Sequence, residues 1–76
     1  MTQEDNSLEI ALKALMVTKS LLRTERNGQI IEVWQASQHL GGLENNDARV
    51  KAWRYVNGCQ FDSFATEAEA LNWIVG

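Results

Sequence analysis

The sequence predicts a small α+β domain in which a helix, a three-stranded antiparallel sheet and a second helix follow one another. Three observations predict it. Apolar residues from Leu8 onward recur at helical spacing. Two runs rich in strand-forming residues, 50–56 and 59–64, flank the turn dipeptide Asn57-Gly58. Finally, Thr66-Glu67-Ala68-Glu69 has the form of a capping box ahead of an apolar run. With 76 residues the chain reads as a single domain over 1–76, close to the smallest size at which one core suffices.

Residues 1–5 read as a disordered polar lead-in. Asn6 followed by Glu9 fits a helix start, the Asn oxygen accepting an otherwise orphaned amide hydrogen. The first helix is then expected to run to about residues 23–25, where Asn27-Gly28 supplies the left-handed conformation of a C-cap. It carries two apolar stripes. Leu8, Ala11, Leu12, Leu15 and Leu22 share one face, and Ile10, Ala14, Val17 and Leu21 share another. A surface helix needs only one such stripe, so the helix is expected to be either sandwiched within its own small domain or shared with another chain.

Residues 29–36 read as a strand, because Ile30, Ile31, Val33 and Trp34 favour a pleated surface and a lone hairpin needs a third strand. The alternative makes residues 29–40 helical, which gives three helices plus one β-hairpin. Residues 41–48 read as a loop from their Gly, Asn and Asp content. A two-residue type I′ turn at Asn57-Gly58 would place Val56 opposite Cys59, Arg54 opposite Phe61 and Trp53 opposite Asp62. The closing helix is expected to reach about residue 75 and to dock through Ala70, Leu71, Trp73 and Ile74.

Composition narrows the function. Ten acidic against seven basic residues give a net charge of −3, which disfavours generic nucleic-acid binding. The N-terminal Met-Thr-Gln-Glu-Asp-Asn is acidic where a secretory signal is basic, and Lys13 and Lys19 interrupt the first helix. A cytoplasmic protein with no membrane association is therefore expected. One cysteine, Cys59, and one histidine, His39, offer neither a disulfide nor a metal set. Neither pairs in sequence with a nucleophile or base, so no enzyme constellation can be assembled. Glu67 and Glu69 do not face one another on a helix. Gly41-Gly42 lacks the Lys-Ser/Thr of a phosphate-binding loop.

One group stands apart. Arg49, Lys51, Trp53 and Tyr55 alternate along a strand and so line one sheet face, with Phe64 and Gln60 expected across the hairpin. Cations beside aromatic planes can stack bases and meet phosphates. The opposite face would carry Val50, Ala52, Val56, Cys59 and Phe61, with Arg54 as the exception.

Residues 54–58 and 64–73, with their hairpin and Phe64-Ala65-Thr66-Glu67-Ala68-Glu69 helix start, resemble the arm-type DNA-binding domains of phage-type integrases over less than half the chain. The helix–three strands–helix order is similar to a double-stranded-RNA-binding domain. The first family places basic residues on its sheet, which are sparse here. The second opens its last helix with a lysine cluster, where this chain has Thr66-Glu67-Ala68-Glu69. No functional residue carries over from either.

The leading expectation is a small non-enzymatic interaction, regulatory or adaptor protein. It would be a homodimer, or bound to another protein, through Ile10, Ala14, Val17 and Leu21 of the first helix and one sheet face. No cofactor, metal or small-molecule substrate is implied. The alternative is a nucleic-acid-binding module that uses Arg49, Lys51, Trp53 and Tyr55.

Overall fold

Alternation along the strands decides which side of the sheet is buried. In the computed structural model, which describes residues 7–46 and 48–76, Ile31, Val33, Leu43, Val50 and Ala52 are buried while their neighbours in sequence point the other way. The elements are α1 (Ser7–Met16), β1 (Leu22–Asn27), β2 (Ile30–Gln35), β3 (Gln38–Asn46), β4 (Arg49–Arg54), β5 (Gln60–Phe64) and α2 (Glu67–Val75). The five strands form one antiparallel meander in the order β1-β2-β3-β4-β5. Both helices lie on the same face: α2 covers β3, β4 and β5, and α1 packs on α2 and β1. Between helices and sheet sits the core of Leu8, Leu22, Ile31, Val33, Leu43, Val50, Ala52, Ala70, Leu71 and Ile74.

The architecture is α+β, but the sheet has five strands rather than the expected three. Two misread segments account for the difference. The first helix stops at Met16, not near residues 23–25. The amides of Thr18 and Lys19 close its last turn on the Leu15 carbonyl, and Leu21 then takes a left-handed φ of 62° that reverses the chain. Leu22 is buried, as the helical stripe implied, but it is buried as the first residue of β1. Asn27-Gly28 is accordingly a hairpin turn and not a helix cap. Asn27 pairs with Ile30, and Gly28 adopts a φ of 65° in the two-residue loop. The expected start at Asn6 and the lead-in 1–5 lie outside the described residues.

The second misread segment is 41–48, expected as a loop. Gly41 and Gly42 belong to β3. They are glycines because β4 comes too close for a side chain: a Cβ on Gly41 would strike the carbonyl of Trp53, and one on Gly42 would strike its indole. Residues 30–35 are a strand as expected, so the alternative with residues 29–40 helical falls. A bulge between Val33 and Trp34 shifts the β2–β3 register, pairing Val33 with Gly41 and Trp34 with His39.

The last hairpin exists but is one residue out of the expected register. Arg54 pairs with Gln60, Trp53 with Phe61 and Ala52 with Asp62. Residues 55–59 form a five-residue loop in which Asn57 and Gly58 both have positive φ. A one-residue slip exchanges the two faces of β5. Phe64 therefore lies opposite Val50 against the core, and Phe61 moves to the uncovered side. The gain is a half-buried aromatic that tilts against Trp73 of α2 at a centroid distance of 5.5 Å. Helix α2 follows the sequence closely: the Glu69 amide donates to Thr66 Oγ1 at 3.2 Å, and the Thr66 hydroxyl donates back to the Glu69 carboxylate.

Candidate functional site

Among the described residues nothing covers the other face of the sheet, and the register sorts its side chains into rows across the strands. One row runs Arg23, Trp34, His39 and Tyr55. The next runs Glu25, Glu32, Gly42, Trp53 and Phe61. A third runs Asn27, Ile30, Glu44, Lys51 and Ser63, and Asn46 opposite Arg49 completes the end.

The first row is a continuous stack. The Arg23 guanidinium lies 5.2 Å from the Trp34 ring centre while donating to the Ala36 carbonyl. Trp34 and His39 lie face to face, 4.5 Å apart with planes 12° from parallel. Tyr55 meets the far side of His39 edge-on at 5.2 Å. His39 Nε2 is 3.2 Å from Glu32 Oε1, close enough for an ion pair with a protonated imidazole, and makes no hydrogen bond there. In the second row the Trp53 indole rests on the Gly42 backbone. Beside it Phe61 stands 74% exposed.

Charges are interspersed among these rings. Arg23 Nε bonds Glu25 Oε2 at 3.2 Å, and Glu44 and Lys51 occupy opposed positions on β3 and β4. Among the described residues the face carries three cations, Arg23, Arg49 and Lys51, and three carboxylates, Glu25, Glu32 and Glu44. Large, rigid and partly exposed rings thus lie among charges of both signs on this face.

The residues expected to carry function fall in two places. Arg49, Lys51, Trp53 and Tyr55 do share the bare face, as their alternation required. Their neighbours across the hairpin are Phe61 and Ser63, however, not Phe64 and Gln60. Ile10, Ala14, Val17 and Leu21 are all exposed, but they do not form one helical stripe. Ile10 and Ala14 lie one turn apart on α1, while Val17 and Leu21 lie beyond its end at Met16. Trp34, His39, Glu32 and Phe61 were not singled out for the face. Glu32 and Trp34 alternate with Ile31 and Val33, a signal that becomes readable once β2 is flanked by strands on both sides.

Among the described residues no group of three His, Cys, Asp or Glu side chains is placed to hold a metal ion. None of the described helices is long and apolar enough to cross a membrane. Cys59 is exposed in the β4–β5 loop. No family model, no curated protein and no solved structure matches the chain.

Proposed function

We propose that this protein is a non-enzymatic interaction domain that binds a protein chain through the bare face of its sheet. One observation carries the reading: five aromatic or imidazole rings, Trp34, His39, Trp53, Tyr55 and Phe61, spread over β2 to β5 and its loop on the side that no helix covers. Phe61 is the most telling of that set, since a ring 74% exposed leaves most of its apolar surface in water. Burying it against a partner would stabilise a complex by about 1.5–3 kcal/mol. A cytoplasmic location and an adaptor-like role fit the same reading. Nucleic acid is the second reading, since Arg49, Lys51, Trp53 and Tyr55 do share the face. Three carboxylates on that face oppose it.

The test is immobilised wild-type protein compared with Phe61→Asp and Ile10→Asp. A protein chain, whether a copy of this one or another, should be retained by wild type and by Ile10→Asp and lost by Phe61→Asp. Retention indifferent to Phe61→Asp would overturn the assignment.

A further inference from the structure

We propose that Asp62 keeps the outer edge of the sheet closed, and that without its carboxylate β5 pairs antiparallel with β5 of a second copy. The direction of the backbone groups comes first. The Tyr55 amide donates to the Leu40 carbonyl at 3.0 Å, one step beyond the Gly41–Arg54 pair. Hydrogen-bonded and non-hydrogen-bonded pairs alternate along an antiparallel ladder. Along β4, therefore, Trp53 and Lys51 bond toward β3, whereas Arg54, Ala52 and Val50 bond toward β5. Their partners Gln60, Asp62 and Phe64 turn their main-chain groups inward to meet them. Phe61 and Ser63 each keep an amide and a carbonyl aimed away from the sheet. No strand among the described residues pairs with that side.

Such a row is a template for another strand unless charge or shape spoils it. The opposite edge, β1, carries charges at Arg23, Glu25 and Arg26. In β5, Gln60-Phe61-Asp62-Ser63-Phe64, one charge stands between two aromatic residues. That charge acts first through a contact within the strand. Asp62 Oδ1 accepts from the Ser63 amide at 2.8 Å, so the donor that an incoming strand needs is already taken.

Its second action is on a copy of itself. The outward groups of Phe61 and Ser63 all find partners within β5 in one antiparallel register, with Phe61 of each copy against Ser63 of the other. Gln60 then meets Phe64, and the strand matches itself along its whole length, as a two-fold contact requires. This register also sets Asp62 against its own counterpart, in a non-hydrogen-bonded pair with about 4.5 Å between Cα atoms. Like charges so opposed destabilise the pairing. Removing the carboxylate therefore frees the Ser63 donor and lifts the repulsion together.

Light scattering behind a sizing column, over a dilution series, tests this on the full chain. Asp62→Ala loses both the cap and the charge, and should associate about tenfold or more tightly than wild type. Asp62→Asn keeps an oxygen for the Ser63 amide and loses only the charge, so it should fall between the two. In Asp62→Ala the Phe61 amide should become protected from hydrogen exchange as concentration rises. Adding Ser63→Pro removes the outward donor without touching the ladder to β4, and should return Asp62→Ala to the mass of wild type. Association of Asp62→Ala no tighter than wild type would overturn the proposal, and so would association that Ser63→Pro leaves in place. Protein held by the bare face responds to Phe61→Asp and not to Ser63→Pro, which keeps the two readings separate.

Discussion

Trp53 and Gly42 stand directly opposite each other on β4 and β3, and the indole of one occupies the space where the other would carry a side chain. A Cβ on Gly42 would come within 2.7 Å of Trp53 Cζ2 and 2.9 Å of Nε1, closer than real contacts allow. Because the obstacle is a side chain, the ring can be displaced rather than the backbone. Gly42→Ala should therefore lower stability by about 1–3 kcal/mol and change the tryptophan emission. Urea unfolding followed by fluorescence measures both at once. An unchanged spectrum and midpoint would mean that Trp53 does not rest on Gly42.

The two-residue loops after β1 and β2 make an internal comparison. Gly28 in one and Ala36 in the other both have positive φ, 65° and 54°. Glycine adopts that region freely and alanine does not. Gly28 has no atom within 4 Å of its Cβ position, so conformation alone decides its substitution. Ala36→Gly should raise stability by about 0.5–1 kcal/mol, and Gly28→Ala should lower it by a similar amount. Thermal melts of the two single variants would show shifts of opposite sign. Shifts of the same sign would contradict the backbone conformations.

Arg54 looked out of place among the apolar residues of the hairpin, and its contacts explain why it is there. Its guanidinium lies 4.2 Å from the centre of the Trp73 ring, and Nη1 donates to the Trp73 carbonyl at 2.8 Å. Nε donates to Gln60 Oε1 at 2.8 Å. The side chain thus holds the last turn of α2, where unpaired carbonyls leave partial negative charge. Arg54→Ala should cost about 1.5–3 kcal/mol. Arg54→Lys should recover only part of that, since an ammonium cannot stack and fork at once. Equal stability of the Lys variant and wild type in urea would remove the stacking from the account.

Local signals with a single meaning were legible in the sequence, and those with two meanings were not. The capping box at Thr66 has one geometric solution, and α2 stands where expected. Asn27-Gly28 serves a helix C-cap and a hairpin turn equally well, and choosing the cap erased β1. Gly41-Gly42 resembles a loop until the ring that needs those glycines is known, and Trp53 lies more than ten residues away. The register of the last hairpin depends on which phenylalanine the core takes. That preference belongs to Trp73 of α2 and not to the turn. The open face was half visible for the same reason: alternation in 49–55 is local, whereas Trp34, His39 and Phe61 join it only through pairing between strands.

The shared face of Arg49, Lys51, Trp53 and Tyr55 makes the nucleic-acid reading directly testable. Single-stranded binders quench tryptophan when a base stacks on it, and they lose affinity steeply with salt. Here Trp34 is already covered by His39 on one side, and Trp53 rests on Gly42 between Glu32 and Phe61 along its row. A strand entering along β4 would pass Glu44, which faces Lys51. Titration of a mixed-sequence oligonucleotide at low salt should leave the fluorescence unchanged. A saturable quench that Lys51→Glu abolishes and added salt reverses would overturn that expectation. Arg49 and Lys51 would then be phosphate contacts, and the carboxylates around them would tune strength rather than prevent binding.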